Sequence, residues 1–341
     1  MVGAVLVRDG AVVGEGFHAR AGGPHAELGA LAAAGERAAG ATLYVTLEPC
    51  CHHGRTPPCV DALLAAGVKR VVACHLDPDP RVRGAGLAAL RGASVEVESG
   101  RLAEEAARLN LRYLVAAVEL RPAVTLKWAM SLDGRIATAG GESRWISSPA
   151  ARRWALGERE THDATLVGVG TVLADDPLLD RRLGKAAGPN RRVVLDRRLR
   201  TPPSARLFTA AGEVLVYTES TDAARAAALA AASVIRLPRV EPTAVLADLH
   251  ARGVRSVLVE GGAAVHASFV GAGLYDRVAA VCAPLLLGGG RAPGPLGGDG
   301  LGPLAGAPRL GPLRVRRLGP DLLLIGERSG CLPALLQSVG A

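Results

Sequence analysis

Aromatic side chains are scarce in this chain, 3% of its 341 residues, and extended base-stacking surfaces are excluded with them. Long apolar runs are missing too: no window reaches the ~18 uninterrupted apolar residues that a membrane span needs. The stretch Met1–Phe17 lacks the charged start, long apolar run and small-residue cleavage site of a signal peptide. There is no basic tail or Lys/Arg block, although the net charge is +8 and the pI about 9.6. Lysine occurs at only a few positions, and the arginines are scattered apart from Arg191–Arg192 and Arg197–Arg200. That distribution argues against a nucleic-acid groove and suits small anionic ligands. A disulfide framework is absent as well. Of the six cysteines, Cys50, Cys51 and Cys59 crowd one loop, while Cys74, Cys282 and Cys331 stand alone. A metal site in a reducing cytoplasm is the simpler account.

What is present is ample core, 49% apolar residues, and length for two domains. Val2–Val7 and Ala11–Phe17 flank Asp9-Gly10, a hairpin signal. A helix over Pro24–Gly35, a strand over Ala41–Leu47, a helix opened by Pro57-Pro58 and a strand over Val68–Cys74 follow. This alternation predicts an α/β sandwich around one sheet. Leu102–Val118 has helical spacing and leads to Arg121-Pro122, the expected domain boundary. Strands over 123–128, 164–168, 192–196, 213–217, 256–260 and 278–283, separated by helices, predict a second α/β domain. The domains are therefore expected over 1–118 and 122–328, with a tail over 329–341. Gly288–Gly311 reads as a Gly- and Pro-rich loop.

Chemistry concentrates in the first half. His25-Ala26-Glu27 opens a helix, Pro49-Cys50 ends a strand and Cys59 begins another helix. One imidazole and two thiolates suit Zn²⁺ and leave a fourth tetrahedral position for water, the mark of a catalytic site. Helix N-termini favour thiolates. Glu27 is placed to move protons between that water and a leaving ammonia, as in the H-x-E…P-C…C signature of zinc deaminases. Eight residues separate Cys50 from Cys59, where two are usual, and Cys51, His52 and His53 lie between them as rival ligands. A closed four-ligand site using Cys51 would leave Glu27 without a role.

The run Thr46-Leu47-Glu48-Pro49-Cys50-Cys51-His52-His53-Gly54-Arg55-Thr56-Pro57-Pro58-Cys59 closely resembles the loop of the bifunctional riboflavin-biosynthesis deaminase/reductase family, in which the eight-residue gap is normal. Position 51 is more typically Ser there, which argues against Cys51 as a ligand. The resemblance continues through Asp77-Pro78-Asp79-Pro80-Arg81-Val82 and the whole second half. It implies a cytidine-deaminase-like α/β/α domain followed by a dihydrofolate-reductase-like α/β domain. The first would deaminate 2,5-diamino-6-ribosylamino-4(3H)-pyrimidinone 5′-phosphate. The second would reduce the ribosyl side chain to ribityl with NADPH. By the same resemblance His25, Cys50 and Cys59 hold zinc and Glu27 is the proton donor.

For the second half, the resemblance runs through Thr125-Leu126-Lys127-Trp128-Ala129, Ser131-Leu132-Asp133-Gly134 and Ser143-Arg144-Trp145-Ile146. It implies Ser143, Arg159, Leu179, Arg182 and Glu260 for substrate, the two arginines suiting a 5′-phosphate. For NADPH it implies Ala129, Trp145, Thr171, Asp175 and Arg197, with Gly262, Ala263, Ala264, Val265, His266, Ala267 and Ser268. From the residues themselves, Gly168-x-Gly170 reads as a tight turn, lacking a third Gly at the Rossmann spacing. Leu258-Val259-Glu260-Gly261-Gly262 before the Ala263–Ala272 helix reads as a phosphate cradle. The Arg cluster at 197–200 suits the 2′-phosphate of NADPH. Lys127 and Asp175 are the candidates for proton movement in the reduction.

Relatives in this family carry a helix and an Asn-Pro pair before the segment that starts here at Val2. The expectation is therefore a start codon assigned downstream of the natural one, or a truncated deaminase half. Two other readings stand beside the bifunctional enzyme: a reductase with an impaired deaminase half, and a nucleic-acid base deaminase. The expected partners are a phosphorylated pyrimidine and further copies of the chain, with no nucleic acid and no membrane.

Overall fold

The computed structural model describes residues 1–20, 22–54, 57–184 and 190–340. The chain divides into two compact units, Met1–Glu119 together with Gly330–Ala341, and Leu120–Ser329.

In the first unit, strands β1 (Gly3–Arg8), β2 (Ala11–Phe17), β3 (Thr42–Val45), β4 (Arg70–Ala73) and β5 (Glu96–Ser99) form one sheet in the order β2-β1-β3-β4-β5. The β1–β2 hairpin turns at Asp9 and Gly10, both with positive φ, which is what an Asp-Gly pair permits. Helices α1 (Ala26–Ala34), α2 (Cys59–Ala65) and α3 (Ala85–Gly92) bury Ala26, Ala30, Leu63, Leu87 and Leu90 in one cluster with Leu6, Leu43 and Val71 of the sheet. The expected helix over Leu102–Val118 is instead two, α4 (Ala103–Leu109) and α5 (Leu111–Val118). The chain breaks helical geometry at Asn110, with φ −100° and ψ 12°.

The second unit holds nine strands: β6 (Ala123–Ser131), β7 (Ala164–Gly168), β8 (Arg191–Leu195), β9 (Val214–Thr218), β10 (Ser233–Arg236), β11 (Ser256–Gly261), β12 (Arg277–Ala283), β13 (Arg314–Leu318) and β14 (Asp321–Glu327). Their order is β10-β9-β8-β7-β11-β6-β12-β14-β13. Strands β10 through β12 in that order pair in parallel, and β14 and β13 close the far edge antiparallel. Alternate residues of the central strands enter opposite cores. Leu166, Val193 and Leu215 pack with Leu246 and Phe269, whereas Val167, Val194 and Val216 pack with Val172 and Leu207. Burial on both faces is why these strands read as unbroken apolar runs. Helices α6 (Pro149–Thr161), α7 (Val169–Asp175), α8 (Ala223–Ala228), α9 (Pro242–Ala251) and α10 (Ala263–Gly271) connect them. Helix α6 starts at Ser148, whose hydroxyl accepts from the Ala151 N–H, with Pro149 in the first turn. The Gly168-x-Gly170 pair, expected in a tight turn, instead opens α7.

After β14 the chain returns to the first unit. Residues 329–341 were expected to be a tail. Instead, Cys331–Val339 form a helix, α11, that packs against α4 and α5. Among the described residues no helix is long and apolar enough to cross a membrane.

Candidate active sites

The first site sits where two helices begin beside the end of β3. Helix α1 is drawn tightly onto the hairpin by small residues. A Cβ at Gly16 would stand 2.2 Å from the Ala26 carbonyl, and one at Gly14 2.3 Å from that of Ala30. This contact fixes His25, the residue at the head of α1, and Glu27 in its first turn. The His25 Nδ1 lies 3.2 Å from Cys59 Sγ and 3.5 Å from Cys50 Sγ. The Cys59 N–H, at the start of α2, donates to Cys50 Sγ at 3.4 Å. All three ligand atoms fall within 4.8 Å of one another. Donors 2.0–2.3 Å from a tetrahedral zinc stand roughly 3.3–3.8 Å apart, so the trio is spaced for that ion.

The electrostatics match. A hydrogen bond from the Cys59 side chain, the Cys59 N–H and the neighbouring His25 outweigh burial and bring the Cys50 thiol down to about 5. The hydrogen bond with Cys50 and burial in turn push Cys59 up. Glu27 is buried, which raises its carboxyl, and its Oε2 has no hydrogen-bond partner in the protein. A partnerless buried carboxylate oxygen beside an incomplete donor set fits a catalytic metal with an open position. Cys51 does not join the group. Its Sγ approaches the Arg81 carbonyl at 3.8 Å, and burial pushes its thiol up. His52 and His53 are likewise outside the trio, the one such group among the described residues. Arg55 and Thr56 of the quoted loop lie outside the described residues.

The second site gathers residues far apart in sequence. Arg159 of α6 donates through Nε and Nη2 to both carboxylate oxygens of Glu260 at the end of β11, each at 2.7 Å. Lys127 of β6 is half-buried alongside. Burial lowers its ammonium, Glu260 opposes the shift and Arg159 adds to it. Burial would raise the Glu260 carboxyl, but Arg159 and Lys127 outweigh it and hold it at about 2. Ser143 donates to Asp175 at 2.9 Å, and Arg144 reaches both the Asp175 side chain and its backbone carbonyl.

The turn expected to cradle the cofactor is shaped by missing side chains. Gly262, with φ 87°, heads α10, and a Cβ on Gly261 would lie 2.7 Å from Thr171 Oγ1. Thr171 on α7 therefore stands against the turn that opens α10. The Ala263 carbonyl accepts from Gly297, and Ala263, Ala264 and Val265 form the first turn beyond the Gly pair. Ser268 bonds back to Val265, and Ala267 continues the helix. His266 faces inward, its ring nitrogens at 3.2 and 3.3 Å from the Pro295 and Val259 carbonyls, with the Trp128 ring beside it. Ala129 packs on the cluster of Ala279, Val281 and Leu323. Trp145 is exposed, with the Arg152 guanidinium 4.5 Å over its ring. Leu179 is buried, Arg182 pairs with Asp180 at 2.5 Å, and Arg197 pairs with Glu219 at 3.4 Å.

Two family models match the chain. Residues 1–75 match the cytidine and deoxycytidylate deaminase zinc-binding region, and residues 122–324 the RibD C-terminal domain. The riboflavin biosynthesis protein RibD of Bacillus amyloliquefaciens is 42% identical over 330 residues, 95% of this chain and 89% of that protein. That of Escherichia coli K12 is 42% identical over 337 residues, covering 95% and 92%. Among solved structures, Acinetobacter baumannii RibD superposes with a TM-score of 0.82 at 39% identity, covering 96% of this chain and 92% of that one. A Thermotoga maritima protein described as a diaminohydroxyphosphoribosylaminopyrimidine deaminase/5-amino-6-(5-phosphoribosylamino)uracil reductase gives 0.80 at 35%, covering 96% and 91%. With a zinc-binding deaminase half and a reductase half on one polypeptide, this chain belongs to the RibD family of bifunctional riboflavin-biosynthesis enzymes.

Proposed function

We propose that the chain removes an amino group from 2,5-diamino-6-ribosylamino-4(3H)-pyrimidinone 5′-phosphate and then reduces the ribosyl side chain of the product to ribityl. The observation that carries this is the His25–Cys50–Cys59 trio with the partnerless Glu27 oxygen beside it. When bound, zinc supplies a water whose pKa is near neutrality, and NADPH supplies a hydride. With zinc held by His25, Cys50 and Cys59, Glu27 would be placed to take a proton from the activated water at Oε2 and give it to the departing nitrogen. The water's other proton would go to the ring nitrogen, so that C–NH₂ and water become a ring carbonyl and ammonia. Burial raises the Glu27 carboxyl above its ordinary value, the direction that favours its taking part in proton transfer.

In the reductase half the ribosylamine would open to an imine, and NADPH, when bound, would supply the hydride that reduces its C1′. Lys127 is the better candidate to give the accompanying proton. Its ammonium is lowered by burial, whereas Asp175 already accepts from Ser143. Glu260, ionised by Arg159 and Lys127, is suited to accept from a sugar hydroxyl. Arg182 and Arg159 border the phosphate end, and Arg197 favours NADPH over NADH through its 2′-phosphate. The same reading makes the substrate a small anion rather than a nucleic acid, the setting cytoplasmic and the working form a homo-oligomer.

Incubating the zinc-loaded chain with the diaminopyrimidinone phosphate and then adding NADPH separates the alternatives. One equivalent of ammonia, followed by loss of nicotinamide absorbance, is expected. NADPH oxidation only on substrate already deaminated would reduce the chain to a reductase. Neither signal would discard the reading.

A further inference from the structure

We propose that Glu48 is a positioning residue for the deamination: its buried carboxylate, anchored on the head of α3, sets where the zinc ligand Cys50 stands. Glu48 lies two residues before Cys50 and is buried. Its oxygens accept three backbone N–H groups, from Asp77 at 3.1 Å, Gly84 at 2.8 Å and Leu87 at 3.1 Å. Gly84 is the capping residue of α3 and has no side chain to satisfy the first-turn donors, so Glu48 caps the helix from across the chain. An anion at that end is favoured by the helix dipole. Asp77 is itself held by the Tyr113 hydroxyl at 2.5 Å and accepts from Asp79 N–H at 2.9 Å, giving the Asp77–Asp79 loop a fixed shape.

The next two residues have no slack. A Cβ on Gly86, in the first turn of α3, would lie 2.0 Å from the Pro49 carbonyl oxygen, so the helix head presses directly on the ligand loop. On its other side, the Cys50 carbonyl accepts from Val60 at 3.2 Å and its sulfur from Cys59 N–H at 3.4 Å. Residues 48 to 50 are thus strung between the heads of α3 and α2. Displacing the anchor at 48 moves Cys50 relative to His25 and Cys59. Groups that orient metal ligands without touching the metal carry a substantial share of affinity and rate.

The proposal rests on His25, Cys50 and Cys59 being the zinc ligands. Glu48→Gln turns one oxygen into an NH₂ that faces a backbone N–H, and Gly86→Ala pushes the Pro49 carbonyl and crowds Glu48 Oε1, 3.2 Å away, while keeping the carboxylate. Zinc affinity is measured by chelator competition, and the cobalt(II)-substituted protein gives the ligand-field spectrum, all on the full chain. The first unit's melting transition in the same molecules reports that the deaminase unit is folded, and NADPH turnover on deaminated substrate reports the second unit. Both variants are expected to bind zinc about 10-fold more weakly, with a shifted cobalt spectrum. Deamination kcat should fall similarly, with KM changed less than about twofold and NADPH turnover unchanged. Wild-type affinity and cobalt spectrum in Glu48→Gln would overturn the proposal. If that variant loses the first unit's melting transition, Gly86→Ala decides by the same criterion. A wild-type chain that binds no zinc would remove the ligand assignment itself, and the proposal with it.

Discussion

The deaminase centre and the reductase cleft are built in opposite ways. Three of the four residues of the zinc centre sit at helix heads, and all come from two short segments, His25–Glu27 and Cys50–Cys59. The reductase half takes its partners from distant segments: Arg159 of α6 meets Glu260 of β11 beside Lys127 of β6, and Ser143 meets Asp175 of α7. The first is an unfinished donor set, with a carboxylate oxygen that lacks a partner. The second is a closed ion pair, already neutralised before any ligand arrives. A centre of the first kind gives up its function to a single atom change while keeping its fold. One of the second kind couples function to stability.

The sharpest break of this contrast is Glu27→Gln. It preserves size and removes the ability to carry a proton, so deamination should fall by about 10²–10⁴-fold. The variant should retain zinc, NADPH turnover and melting temperature. Ammonia release, metal content and nicotinamide absorbance on the same preparation check this. A large drop in melting temperature would show that the zinc centre, too, supports its fold through this carboxylate.

Arg159→Met should do the reverse. Removing one partner of a buried ion pair costs roughly 3–5 kcal/mol, and Glu260 is left with Lys127 alone. Reductase turnover and stability should fall together. Acid sharpens the test. In the wild type the Glu260 carboxyl is held at about 2 although burial favours raising it, below its ordinary value of 4.5. The ionised form is therefore favoured by folding. That stabilisation is complete above about 4.5 and is lost as pH falls toward 2. With Met at 159 the folded value rises, and acid unfolding of this unit should begin at higher pH. All three tryptophans, Trp128, Trp145 and Trp154, lie in the second unit, so their fluorescence follows it alone.

The same contrast explains what could be read from the sequence. The His-x-Glu and Pro-Cys…Cys spacing carries the zinc centre because its residues are local, and helix heads and strand ends are marked by Pro, Gly and Cys. The strands β7, β9 and β11 are legible because burial on both faces leaves predominantly apolar residues. The Arg159–Glu260 pair is not legible as a pair, since nothing local ties α6 to β11. The three backbone donors on Glu48 escape for a similar reason: N–H groups carry no sequence signal. Gly168-x-Gly170 misled because a helix start and a tight turn ask the same of glycine. Asn110 broke an otherwise continuous helical pattern that spacing alone could not interrupt.

Helix α11 was legible and passed over, and it offers the mildest test of the contrast. Cys331, Leu332, Leu335, Leu336 and Val339 are all buried, and their spacing is that of one helical stripe. Its register places a far-off piece of chain in the deaminase unit, so this half is not built wholly from local segments. Leu335→Ala removes a side chain that is 2% exposed and should cost about 2–5 kcal/mol. For a unit of this size that lowers its melting temperature by roughly 5–20 °C. A zinc chelator should shift the first unit's transition and NADPH the second's, because each ligand stabilises the unit that binds it. Calorimetry of Leu335→Ala should then show the chelator-sensitive transition moved down and the NADPH-sensitive one in place. Movement of the NADPH-sensitive transition instead would assign α11 to the reductase half. Deamination measured below the lowered transition should keep its wild-type rate, since α11 supports the unit without touching the ligand trio.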